Sequence, residues 1–215
     1  MLLKKLSKAA AVCAVVGMAL AMVSCGDRND GTYLTHEALE DESLKLGGKW
    51  KLTGGYVYEA FKDSEDGVWY NSWDDEKDVP ITAQKVTDLD IVAEEFENFV
   101  GDSSDSALRF DNSLCLTLTD AQAKEMLKGF LSYIEDLEVE LALYLEEYAD
   151  PDTSGGFELK SFDGDVKGYV RLSDDHARID IYVYFYYEEN IIDLEENKEF
   201  FDGMKNEYSF TLTRQ

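Results

Sequence analysis

Residues 178–187 read RIDIYVYFYY, and their alternation restricts the folds open to this chain more than any other segment. Ile179, Ile181, Val183, Phe185 and Tyr187 share one side of an extended chain; Asp180, Tyr182, Tyr184 and Tyr186 share the other. Side chains alternate across a strand with a period of two, so this is a β-strand with an aliphatic face and a tyrosine face. The chain also offers one long helix, from Asp120 to about Tyr148. A helix needs a sheet to bury its apolar stripe, and here the sheet has two apolar faces. The helix is therefore expected to lie over Tyr182, Tyr184 and Tyr186 as a second core layer. If those rings are instead exposed, they form a ladder that can stack on sugars or dock a partner.

The helix itself is well marked. Thr119 and Gln122 fit a capping box, and Pro151 follows its far end. Ala123, Leu127, Phe130, Ile134, Leu137 and Leu141 recur in steps of four and three, as in a coiled-coil seam. Leu131, Val139, Leu143 and Leu145 widen that stripe, which suits packing on a sheet of the same domain better than a dimer zipper. A second helix is expected over Asp88–Val100, capped by Thr87. Strands are expected from Gly48, over Val68–Tyr70, over Leu114–Leu118, and over Tyr208–Thr213. Phe157–Phe162 and Val166–Leu172 flank Asp163-Gly164, a turn signal, and read as a hairpin. Ser173–His176 reads as the next turn.

The N-terminus sets location. Lys4, Lys5 and Lys8 precede an apolar core, Ala9–Val23, in the order of a secretory signal. This core is shorter than the ~20 apolar residues that span a bilayer, and no basic stop-transfer cluster follows it. Met22-Val23-Ser24-Cys25 resembles the lipobox of bacterial lipoproteins. That resemblance implies cleavage after Ser24 and lipidation of Cys25, so residues 1–24 are a signal peptide. Residues 25–47 are expected to be a polar tether, with a short helix around Thr35–Lys45, and 48–215 a single domain. Gly26 rather than Asp after the cysteine implies the outer membrane if the cell has two membranes.

Charge excludes whole classes of partner. The net charge is −26, and becomes three units more negative, −29, without Lys4, Lys5 and Lys8. Nucleic-acid binding needs Lys and Arg to displace counterions from phosphates, so that class is rejected. A polybasic contact with anionic lipid is rejected likewise, leaving lipid on Cys25 as the membrane contact. Cys13 leaves with the signal and Cys25 is expected to be acylated, so Cys115 stands alone, without a disulfide.

No catalytic signature emerges. Cys115 could be a nucleophile with His36 or His176, yet its strand is apolar and a small buried thiol is the expected state. Gly101-Asp102-Ser103-Ser104 resembles the start of a serine-esterase block, but the residue three before His176 is Ser173 rather than the Asp that such enzymes need; the segment reads as a helix end and polar loop. Asp150-x-Asp152-x-Ser154-Gly155 repeats the opening of an EF-hand loop, where oxygens at alternate positions converge on Ca²⁺. Ser161 stands where the closing bidentate Glu is required, so a helix-ending turn is expected there and cation binding by Asp150 and Asp152 is left open. A hydrolase would need two groups in hydrogen-bonding reach within a cleft. No catalytic, cofactor or metal residue is assigned, and the chain is expected not to be an enzyme.

Gly48-Lys49-Trp50-Lys51-Leu52, Phe162-Asp163-Gly164-Asp165-Val166-Lys167-Gly168-Tyr169 and Phe210-Thr211-Leu212-Thr213-Arg214 are similar to strands of bacterial lipocalin-like lipoprotein domains. The fold expected is α+β: an antiparallel sheet or lipocalin-like β-barrel with one long amphipathic helix packed on it. The resemblance implies a non-enzymatic envelope protein that binds a small apolar ligand or a protein partner. The alternative is a glycan- or protein-interaction module with a cystatin-like helix-on-sheet fold.

Overall fold

The computed structural model describes residues 31–62, 67–71, 85–101, 108–149, 157–194, 196 and 198–215. The segment expected to be a signal peptide, Cys25, residues 102–104 and residues 150–155 lie outside what it describes. Gly31–Gln215 is one compact unit.

Seven strands form one antiparallel sheet: β1 Thr32–Tyr33, β2 Gly48–Lys62, β3 Trp69–Asn71, β4 Cys115–Leu118, β5 Phe157–Leu172, β6 Arg178–Asp193 and β7 Lys198–Arg214. Their order is β1-β5-β6-β7-β2-β3, with β4 also paired to β2. Three helices are described: α1 His36–Glu40, α2 Leu89–Gly101 and α3 Asp120–Ala149.

The sheet is open, which corrects the lipocalin-like barrel. A barrel closes when its two edge strands pair along their length. Here one edge is the two-residue β1 and the other is the short β3 and β4, both paired to the outer side of β2. The apolar face is covered by α2 and α3 instead of by further strands. The helix-on-sheet alternative is therefore the better description, although three strands rather than four follow α3.

The helices take the aliphatic face, not the tyrosine face. Phe96 of α2 and Phe130 of α3 both pack on Phe210 of β7, with ring centroids 5.2 and 5.9 Å away. Ile179, Ile181 and Val183 of β6 are completely or almost completely buried in the same core. The expectation that α3 covers Tyr182, Tyr184 and Tyr186 is thus wrong. Apolarity was the misleading signal: tyrosine keeps a polar tip, so the fully aliphatic face gains more from dehydration.

The capping box of α3 forms as expected. Thr119 N donates to Gln122 Oε1 at 3.0 Å, and Gln122 N donates to Thr119 Oγ1 at 3.2 Å. At the start of α2, Asp88 accepts from Asp90 N at 2.9 Å, a role expected of Thr87.

Two further expectations change. Asp163-Gly164 makes no turn: β5 runs unbroken for 16 residues and Gly164 pairs with Tyr187. A side chain there would crowd Phe162 and Leu141 of α3, so this glycine serves helix approach rather than chain reversal. Residues 31–47 belong to the domain rather than to a polar tether. Leu34, Leu39 and Leu46 are core residues with 6%, 1% and 0% exposure. Trp50 Nε1 donates to Leu46 O at 2.8 Å, and Asp120 Oδ1 accepts from Leu46 N and Gly47 N at 2.7 and 2.6 Å. These bonds tie the entry segment to the start of both β2 and α3.

Candidate interaction surface

The face of the sheet on which none of the described helices packs, here the helix-free face, is built by the strand register. Tyr169, Tyr182, Ser209 and Tyr56 lie side by side across β5, β6, β7 and β2. The next row is Lys167, Tyr184, Glu207 and Tyr58. Beyond it come Asp165, Tyr186, Lys205 and Ala60, paired to Asn71 of β3. Cross-strand neighbours on one face are the unit of sheet stabilisation. Tyr182, Tyr184 and Tyr186 were anticipated from their spacing. Their partners were not, because register joins residues far apart in sequence. Tyr56 and Tyr58, flanking the core residue Val57, carried the one readable hint.

Glu207 organises the centre. Its Oε1 accepts from Tyr56 Oη at 2.5 Å, Lys85 Nζ at 2.9 Å and Tyr182 Oη at 3.2 Å. Burial pushes the Glu207 carboxyl upward, but these donors outweigh it and hold the group below the usual glutamate range. The same contacts act oppositely on the phenols. Burial, reinforced by Glu207, drives Tyr56 and Tyr182 well above the ordinary tyrosine value. A second cluster repeats the design: Lys62 Nζ and Tyr186 Oη donate to Glu188 at 2.5 and 2.9 Å. Burial and Glu188 push Tyr186 up to about 12. At a third, Arg171 and Arg178 both pair with Asp180 at 2.9 and 3.1 Å, while Thr211 Oγ1 donates to it at 3.1 Å. Cations and carboxylates are interleaved, so this face is close to balanced in a strongly acidic chain.

Several ring faces on this surface are already occupied. Tyr169 stacks on Tyr182 with centroids 5.5 Å apart, and Tyr33 meets Tyr169 edge-on at 5.4 Å. Lys85 sits 3.7 Å above the Tyr56 ring, Lys167 5.5 Å above Tyr184 and Lys205 5.6 Å above Tyr58. Flat stacking on a sugar would have to displace these cations. Tyrosine and arginine set in a polar lattice match the centre of protein interfaces instead.

The remaining candidates do not assemble. Cys115 is buried and unpaired, and its Sγ lies 3.6 Å from Ser113 O. His36 lies on α1, 3.4 Å from Glu135, and His176 occupies the β5–β6 turn with φ 56°. Neither histidine is brought to Cys115. Among the described residues no group of three or more His, Cys, Asp or Glu side chains is set to hold a metal. No described helix is long and apolar enough to cross a membrane. Among the described residues, an open depression of about 500 Å³ lies beside α2, lined by Asp90, Glu94, Glu97 and Asp111 with Phe110 and Leu114. What overturns the expected lipocalin-like ligand site is the open sheet, which encloses no barrel interior among the described residues. No protein-family model, curated protein or solved structure matches the chain.

Proposed function

We propose that this protein is a non-enzymatic interaction module of the bacterial cell envelope, held by lipid on Cys25 and docking a protein through the tyrosine face. In a cell with two membranes the anchor lies in the outer one, since Gly26 follows Cys25. The observation that supports the docking role is the helix-free face itself, where Tyr56, Tyr169, Tyr182, Tyr184 and Tyr186 are half-buried beside paired charges. A surface built only for solubility has no need of so many ordered phenols.

Two experiments test the parts separately. A photo-reactive phenylalanine analogue placed at Tyr184 should give a discrete crosslinked species in cells, and one at the helix residue Lys128 should not. Equal labelling from both positions, or none from Tyr184, sinks the docking role. Metabolic labelling with a palmitate analogue should mark the protein and be lost in Cys25→Ser; retained label removes the anchor.

A further inference from the structure

The outer edge of β5 is paired at one end only. β5 runs for 16 residues and pairs with β6 along its inner side. Its outer side meets β1 at Arg171 and Leu172, and Val170 O accepts from Leu34 N at 2.8 Å. The pairing stops there, because Thr35 accepts from Ala38 N and starts α1, which turns the chain out of the sheet. In an antiparallel strand, successive residues direct their N–H and C=O groups to opposite sides. Val170 faces outward, so Gly168, Val166 and Gly164 do the same, while Tyr169, Lys167 and Asp165 bond toward β6. Among the described residues, no strand pairs with the outward side of those three.

Two of the three are glycines, which leaves the backbone bare. Ile134 of α3 closes over Gly168 and Leu141 over Gly164, where a Cβ would fall 2.3 and 3.1 Å from them. Neither glycine has a side chain to shield its peptide groups. Gly168 is exposed even beneath Ile134, and the exposed atoms of a glycine are backbone atoms. An unpaired edge is a template for a further strand, and β1 already uses this one so. Proteins blunt such edges with proline, bulges or lysine. Here the bulge lies away from the open stretch, between Leu159 and Ser161, and β5 has no proline. The one lysine between Asp163 and Tyr169 is Lys167, which pairs with Asp165 and lies over the Tyr184 ring on the sheet face.

The charge beside the open stretch is negative. Asp163 and Asp165 flank it on the tyrosine face. On the other face, Glu138 falls between Ile134 and Leu141 along α3. Burial first, then the charge of Glu135, raises its carboxyl above the usual glutamate range. Against these three acids stands Lys167. An extended segment with Lys or Arg at alternate residues matches both the free backbone groups and the charge. A second copy of this chain brings a net charge of −26 and is the poorer fit.

We infer that the outer edge of β5, from Gly164 to Gly168, takes up an extended segment of a partner protein with Lys or Arg at alternate residues, paired as an added strand. The edge borders the tyrosine face, but it binds through backbone groups and does not rest on that face's docking role.

The test uses the purified chain with Cys25→Ser and hydrogen exchange read residue by residue. In the free chain the amides of Gly164, Val166 and Gly168 should exchange at least tenfold faster than those of Asp165 and Lys167. Slow exchange at all five means that the edge is already covered, and overturns the inference. A fluorescent peptide of about nine residues, Lys alternating with Thr, should bind and slow the first three amides at least tenfold. The same peptide N-methylated along its backbone keeps its charge but cannot donate, and should bind at least tenfold more weakly. Equal binding reduces the effect to charge and overturns the inference. Val166→Pro removes an outward N–H where an edge strand tolerates proline, and should weaken binding at least tenfold. Asp163→Lys with Asp165→Lys should do so with the backbone intact; parental binding by both variants overturns the inference. Slowing of the three amides with rising protein concentration, without peptide, assigns the edge to a second copy and refutes the partner. Tyr182→Ser should leave binding within twofold. If it does and Tyr184 gives no crosslink in cells, the edge stands and the tyrosine-face role fails. If Tyr182→Ser abolishes binding while Val166→Pro keeps it, the edge is refuted and the tyrosine face gains.

Discussion

Gly168→Ala gives the sharpest test of where the helix lies. Gly168 faces α3 from β5, opposite Val183. A Cβ there would fall 2.3 and 2.6 Å from Ile134 Cδ1 and Cγ1, and 2.9 Å from the Tyr182 carbonyl oxygen. The side chain of Ile134 can swing, but the carbonyl is fixed in the β5–β6 ladder. Overpacking of this kind costs about 1–3 kcal/mol. Removing a glycine from a strand returns roughly 0.5–1 kcal/mol. The net expectation is a loss of about 0–2.5 kcal/mol, seen as a lower urea midpoint with unchanged m-value. Ile134→Ala alone should cost about 2–4 kcal/mol by opening a cavity. In the double variant the new methyl enters that space, so the combined loss should fall short of the sum by about 1 kcal/mol or more. A stabilising Gly168→Ala, or strict additivity in the double variant, would refute helix packing on this face.

Three other outcomes follow from the same geometry. Glu207 has a lowered folded-state pKa, so its contribution is full above the ordinary value of 4.5 and disappears as pH falls through the folded value; Glu207→Gln should flatten urea stability across that acidic range, and an unchanged acid slope counts against the network. Trp50→Phe leaves the buried Leu46 carbonyl without its indole donor and opens a small void, so a loss of about 2–3 kcal/mol is expected in urea titration. Cys115, 7% exposed, should react with a thiol reagent only as the protein unfolds; prompt reaction in native buffer contradicts its burial.

Local signals were legible where neighbours in sequence supply the physics. The Thr119–Gln122 box, the β6 alternation and the Ser173–His176 turn all depend on contacts within a few residues. Asp163-Gly164 misled because the same dipeptide serves a hairpin or a close helix approach, and the choice is made by Leu141 on a distant helix. The proximal half of β7, Lys198–Asn206, lacks clean alternation, since Gly203, Met204 and Lys205 answer to different faces at the sheet's far end. The choice of face for α3 was also a tertiary decision. Tyr182, Tyr184 and Tyr186 were recognisable as a ladder, but Glu207, Lys85 and Lys62 join it only through register. Nothing in local sequence marks Phe61 and Met204 as neighbours.

The described domain starts at Gly31, β1 adds to β5 from Thr32, and Cys25 stands six residues before Gly31 in the sequence. Six residues fully extended span roughly 20 Å, less than the width of the domain. A lipid on Cys25 would therefore leave the domain a short radius of travel, leashed by its Leu172 end. Tyr182, Tyr184 and Tyr186 lie progressively farther along the strands from that end. A partner could then not be fetched from a distance; it would have to arrive at the membrane, where confinement to a thin layer raises its effective concentration.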